Sequence, residues 1–183
     1  MHQYVSRRRT FMNIKNIKPI HLIYGSLFSA IVFVFTYIGI QLPAFGAFGG
    51  LTHLGTLVMF LISIKYGKYY GALSGAIGMS LFDLLSPWSA WAIGTFIIRL
   101  IAGFLFGLIA QHKDGQGSSK VKNWIALGLG GAVIVIGYFI FEAIFLSSGF
   151  AALRSVPGNI LQIVIASAGI FIYKSMPELK KYI

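Results

Sequence analysis

Ile20 to Ile40 is an uncharged, strongly apolar stretch long enough to cross a bilayer, which takes about 20 residues. It is followed by more of the same: Leu51–Ile64, Tyr70–Leu85, Trp91–Ala110, Asn123–Leu146 and Pro157–Tyr173. Short polar or Gly/Pro-rich segments separate these runs. Such a pattern restricts the chain to a bundle of membrane helices, because only closed backbone hydrogen bonding is tolerated in lipid. Of the 183 residues, 57% are hydrophobic and 10% charged, which agrees. The expected fold class is therefore an all-α membrane protein, a six-helix transmembrane bundle. Residues 1–19 form a basic cytoplasmic segment, 20–174 a single membrane domain, and 175–183 a cytoplasmic tail. Gln41–Gly50 (QLPAFGAFGG) reads as a Pro/Gly loop. The second and third runs are short, and Tyr66, Tyr69 and Tyr70 extend them at the interface.

A formal charge of +11 invites a nucleic-acid reading, but its distribution argues otherwise. With the N-terminus inside, Lys and Arg fall at residues 7–18, at 65 and 68, at 113, 120 and 122, and at 174, 180 and 181. The outer loops keep Arg154 alone, and Arg99 lies within a run. This is the one-sided partition of a membrane protein with both ends cytoplasmic. The first apolar run exceeds the 7–15 residues of a signal-peptide core and is read as a retained helix. The chain has no cysteine, so disulfides and thiolate metal sites are excluded.

Orientation converts sequence position into depth. Asp83 falls near the outer end of the third helix and Arg99 about two turns into the fourth. Glu142 lies about one turn from the outer end of the fifth; Asn159 and Gln162 open the sixth. His53 starts the second and Gln41 ends the first. Ionisable groups in lipid are expensive and need a reason. All of these cluster in the outer half, above an inner half read as almost purely apolar. That describes a cup rather than a conduit, and polar groups with aromatic walls suit a small molecule. Trp88, Trp91, Phe45, Phe48, Phe96 and Tyr138 are candidate walls. Trp91, Thr95 and Arg99 share a helix face, as do Tyr138 and Glu142. Direct pairing of Asp83, Arg99 and Glu142 as a structural network is the competing reading. No His/Asp/Glu pair has metal-ligand spacing on one helix, and no nucleophile sits with a base, so neither metal, cofactor nor catalysis is expected. A second feature is the small-residue face of the first helix: Gly25, Ser26, Ser29 and Ala30 permit close helix approach. Gly71/Gly75 and Gly103/Gly107 are expected to pack internally.

The segment Gly49–Ala110 resembles the substrate-binding (S) components of energy-coupling factor transporters. The resemblance is carried by Gly50-x-x-His53-Leu54-Gly55, Tyr70-Gly71-Ala72-Leu73 with Gly75, Asp83 with Ser86-Pro87, Phe96–Arg99, and Asn159–Gln162. With the six-helix layout it extends over nearly the whole chain. It implies a small bacterial plasma-membrane protein that captures a vitamin from outside and topples to release it. It also implies docking onto a transmembrane T component that carries two ABC ATPases. The docking face would be the first helix, AxxxA-like in the family, with Ser26 in place of the first alanine. No G-x-x-x-x-G-K-[ST] motif is present, so ATP hydrolysis would belong to the partners. The subfamily looks nearest to S components for hydroxymethylpyrimidine or pyridoxine, with riboflavin-type members as neighbours. Riboflavin, pantothenate, folate or thiamine capture, or a stand-alone secondary transporter, are the alternatives.

Overall fold

Pro19 needs no hydrogen-bonded N–H in a first helical turn, and it opens helix α1, Pro19–Thr36. The computed structural model describes residues 18–44, 47–112, 117–146 and 152–177, without side chains for 42–44 and 47–49. After α1 come strands β1 (Gly39–Ala44) and β2 (Ala47–His53), then α2 (Gly55–Tyr66) and α3 (Lys68–Leu84). A 3-10 turn, Ser89–Trp91, leads into α4 (Ala92–Ala110), and α5 runs Lys120–Phe145. A second 3-10 turn, Leu153–Ser155, opens α6 (Val156–Ala166); α7 (Gly169–Ile172) and a last turn, Tyr173–Ser175, follow.

The segment expected as a Pro/Gly loop is an antiparallel hairpin. Gly39 pairs with His53, Ile40 with Thr52 and Gln41 with Leu51. The register shifts between Gln41 and Pro43, where proline has no N–H to give the ladder. The fold is thus helical with one small sheet, and α2 begins at Gly55 rather than Leu51. Gly and Pro masked the strand signal, while the need to pair backbone groups beside lipid favours the hairpin.

The sixth run also departs from a single helix. Ser167 and Ala168 separate α6 from α7, with i→i−3 bonds from Ala168 N to Ile165 O and Ile170 N to Ser167 O. The Ser167 hydroxyl donates to Val164 O (2.6 Å), the local competition that loosens a helix at serine. The corner between α2 and α3 is one residue, Gly67, at φ 111°, a conformation side chains resist.

The tightest packing joins α3 to α4. A Cβ at Gly103 would lie 2.5 Å from Gly71 O, and one at Gly107 would lie 2.4 Å from Lys68 N. Small residues thus let two backbones touch, as membrane helices require. Beneath the hairpin, Met59, Phe60, Ala102, Phe106 and Ile134 are fully buried, with Phe60 edge-on to Phe106 at 5.0 Å. The outer surface is apolar: Leu22, Ile93, Ile136, Ile144 and Val164 are all more than half exposed. Among the described residues four stretches are long and apolar enough to span: Pro19–Thr36, Ser89–Ala110, Lys120–Phe145 and Leu153–Ser175. At 1.5 Å per residue α2 is only about 18 Å long.

The end opposite the hairpin is less apolar than expected. Tyr70, in the first turn of α3, is buried, and its hydroxyl meets His21 Nδ1 at 2.9 Å. Gln111 Nε2 donates to Ile64 O (3.2 Å) and Asn123 Nδ2 to Gly117 O (2.8 Å).

Replacing Gly107 by leucine should destabilise the detergent-solubilised protein by about 1–3 kcal/mol or more, the usual cost of overpacking. Gly128, with nothing within 4 Å of its Cβ position, should accept leucine at little cost. Thermal unfolding of both variants checks this; equal midpoints would show that the α3–α4 contact is dispensable.

Candidate functional site

Helical periodicity aims side chains from five elements at one point beneath the hairpin. Thr95 and Arg99 lie one turn apart on α4, Tyr138 on α5, Thr56 on the first turn of α2, and Gln162 on α6. Arg99 is only 1% exposed. Its Nε donates to Tyr138 Oη (3.2 Å), Nη1 to Thr56 Oγ1 (2.9 Å) and Nη2 to Gln162 Oε1 (3.0 Å). The guanidinium carbon lies 5.1 Å from the Tyr138 ring centroid.

Because a guanidinium can only donate, the direction of each chain is fixed. On one branch Tyr138 Oη accepts from Arg99 and donates to Thr95 Oγ1 (2.9 Å). Thr95 in turn donates to Asp83 Oδ2. On the other branch Thr56 donates to Gln162 Oε1, and Gln162 Nε2 donates to Leu51 O (2.6 Å). A single relay therefore runs from the end of α3, through α4 and α5, to α2, α6 and the backbone of β2.

The direct Asp83–Arg99–Glu142 pairing weighed from sequence is not what forms. Among the described residues no carboxylate reaches Arg99 at ion-pair distance; Asp83 is joined to it through two hydroxyls. Glu142 instead accepts from Trp91 Nε1 (2.9 Å), and Trp91 stands edge-on to Trp88 at 5.0 Å.

His53, Asp83, Trp88, Trp91, Thr95, Arg99, Tyr138, Glu142, Asn159 and Gln162 all line one cavity. Gln41 does not: it is exposed on β1, opposite Leu51. Phe45 lies outside the described residues, as does the side chain of Phe48, and Phe96 is 40% exposed on the outer surface. Arg154 is exposed on its turn. Sequence reasoning missed Thr56, Leu51, Ser155 and Gly50. The last two were signalled only by small residues. A Cβ at Gly50 would be 2.9 Å from Ser155 O, and one at Gly158 would be 2.7 Å from Gly50 O. Thr52 Oγ1 also donates to Gly158 O (3.1 Å), so β2 is sewn to the start of α6.

The cavity has a volume of about 50 Å³, room for a few waters. Ligand sites usually span about 300–1,000 Å³. A guest of that size would fit only with movement of the surrounding walls, among them Trp88, Trp91 and β2. His53 is 6% exposed and lines this space, and its Nδ1 has no hydrogen-bond partner among the described residues. The site offers hydrogen bonds and aromatic walls; among the described residues no cluster of His, Asp or Glu can hold a metal ion.

On the far side of α3 lies a second, apolar groove of about 370 Å³. It is lined by Gly25, Ser26, Ser29 and Ala30 of α1 with Leu73, Ile77, Gly78 and Leu81 of α3. Ser29 bonds back to Gly25 O (2.8 Å), leaving Ser26 and Ala30 exposed. Gly71, Gly75, Gly103 and Gly107 pack internally, as expected.

Gln162→Leu removes the donor to Leu51 O and one acceptor of Arg99. Amide hydrogen exchange across residues 47–53 should accelerate by up to about tenfold, the loss of one neutral bond of about 0.5–1.5 kcal/mol. Unchanged exchange would mean that the relay does not hold the hairpin.

A family model described as ECF-type riboflavin transporter, S component, matches residues 16–177. A UPF0397 protein of Vibrio atlanticus is 29% identical over 136 residues, covering 68% of this chain and 73% of that protein. A UPF0397 protein of Clostridium perfringens is 36% identical over 89 residues, covering 43% and 46%. A fluoride-specific ion channel of Campylobacter lari is 28% identical over 91 residues, covering 49% and 74%.

Proposed function

From the premise that the chain belongs to the ECF-type riboflavin transporter S component family, we propose that the cavity beneath the hairpin captures a small heterocyclic vitamin or precursor. Membership makes the chain a membrane-embedded, multi-pass, non-enzymatic substrate-binding subunit of a vitamin-type transporter. The observation that carries the capture reading is the Arg99 relay, a buried polar cup with an apolar floor at one end of the bundle. In this reading all six apolar segments cross the plasma membrane of a bacterium, with α2 and α3 as short spans. Both ends are cytoplasmic, as the Lys/Arg partition favours. Residues 1–19 and 175–183 flank the membrane domain as cytoplasmic segments. The cup then opens outward, and cargo leaves through a T component with two partner ATPases that bind the ATP and Mg²⁺. The α1 face at Gly25, Ser26, Ser29 and Ala30 meets the T component.

Hydroxymethylpyrimidine and pyridoxine are the favoured cargoes because a small ring asks least of a cavity of about 50 Å³. The family description names riboflavin, which is larger, so it stands as the second candidate. A channel, as the Campylobacter relative is named, is less supported. Met59, Phe60, Phe106 and Ile134 are packed between the cup and the opposite end.

Titrating the purified protein with hydroxymethylpyrimidine, pyridoxine, riboflavin, thiamine, folate and pantothenate, followed by Trp88/Trp91 fluorescence, should give a micromolar or tighter Kd for one of them. No binding by any would end the capture reading. Arg99→Ala should weaken that ligand at least about tenfold, or 1.4 kcal/mol.

Ser26→Leu with Ala30→Leu should abolish co-purification with the T component while leaving ligand affinity unchanged. Retained co-purification would move the docking face elsewhere.

A further inference from the structure

The polar atoms of the cup are not equally available. Arg99 is deeply placed, at 1% exposure, and three of its five N–H groups donate to protein oxygens: Tyr138 Oη, Thr56 Oγ1 and Gln162 Oε1. The carboxylates of Asp83 and Glu142 stand nearer the opening, each 8% exposed. Asp83 receives one hydroxyl, from Thr95, and has no cationic partner within ion-pair distance among the described residues. A carboxylate has about four acceptor positions, so Asp83 retains capacity to accept from a ligand. His53 Nδ1, lining the same cavity, is buried without a partner. The cavity a guest meets thus holds two carboxylates against the one guanidinium of Arg99, three of whose five N–H groups are already bonded.

We infer that this cup selects a neutral or cationic heterocycle that donates an N–H or O–H to Asp83, and that it rejects carboxylated and phosphorylated vitamins. The inference rests on the capture reading and deepens it by naming the ligand's charge class. An anion seeking Arg99 would find only the second N–H of Nη1 and of Nη2 without a protein acceptor, and would lie in the same cavity as Asp83 and Glu142 while reaching them. Like charges brought together in a desolvated site are a strong means of exclusion. The directed chain Arg99→Tyr138→Thr95→Asp83 adds to the effect. Each hydroxyl proton points toward Asp83, so its oxygen is held as an acceptor and cannot turn to donate to an anion.

The test uses the intact purified protein, with calorimetry on matched pairs: pyridoxine against its 5′-phosphate, hydroxymethylpyrimidine against its phosphate, and riboflavin against flavin mononucleotide. Pantothenate serves as a carboxylated probe, and an O-acetyl ester of each alcohol supplies neutral bulk at the phosphorylated position. The expected result is that one alcohol binds, its phosphate binds at least roughly thirtyfold more weakly, its acetyl ester loses far less, and pantothenate does not bind. Asp83→Asn should weaken the alcohol about tenfold and narrow the gap to the phosphate. A phosphate or pantothenate that binds as tightly as the best alcohol overturns the inference and leaves the capture reading standing. Equal losses for phosphate and acetyl ester also overturn it, because exclusion would then be steric. If no probe of any charge binds, the capture reading falls and this inference falls with it. Should Asp83→Asn fail to fold, the pairwise comparison on the unaltered chain decides the matter alone.

Discussion

A guanidinium buried among apolar helices and tied only to neutral oxygens is the constraint around which this protein is arranged. Burying a charge costs several kcal/mol even after relaxation, and only a full set of well-placed acceptors offsets it. Arg99 obtains those acceptors from α2, α5 and α6, while its own helix supplies the Thr95 link to Asp83 on α3. Five helices are therefore held to one side chain, and none can drift without stranding a polar group in a low-dielectric interior. The glycine contacts between α3 and α4 bring the backbones close enough for that geometry to close.

The hairpin depends on the same center. Its second strand is fixed by Gln162 through the Leu51 carbonyl and by Thr52 through the Gly158 carbonyl. Gly50 and Gly158 lie so near each other that backbone meets backbone. A two-stranded hairpin is marginal by itself; here its position is borrowed from α6. The cover of the cavity and the polar core below it are thus one hydrogen-bonded unit.

What the sequence reveals, and what it hides, follows from the reach of each interaction. Apolar run length is a local property, so the helical middle of each apolar run was legible, whereas the first and second runs give up residues to strands and the sixth breaks at Ser167 and Ala168. Alternating direction then turned position into depth, which is why residues as far apart as His53 and Gln162 were correctly grouped. The hairpin was hidden because Gly and Pro read as turn wherever they occur, and its strand pairing is a non-local fact. The partners of Arg99 were hidden for a related reason. Formal charge suggested Asp83 and Glu142, whereas helix rotation delivered hydroxyls and an amide, and the indole of Trp91 claimed Glu142. The bond between Tyr70 on α3 and His21 on α1 was hidden in the same way, since it joins residues far apart in sequence. The break at Ser167 and Ala168 depends on a hydroxyl choosing its own backbone, which apolar periodicity does not record.

Leu81 faces the groove beside α1, and Asp83 faces the cup. Residues two apart on a helix point about 200° away from each other, so a single turn of α3 forms the whole partition between these two surfaces. Pressure on one side of that turn is displacement on the other. Redesign of the groove's α3 wall at Leu81 is for this reason also a redesign of the acid at the mouth of the cavity, whereas its α1 wall at Ser26 and Ala30 can be altered alone.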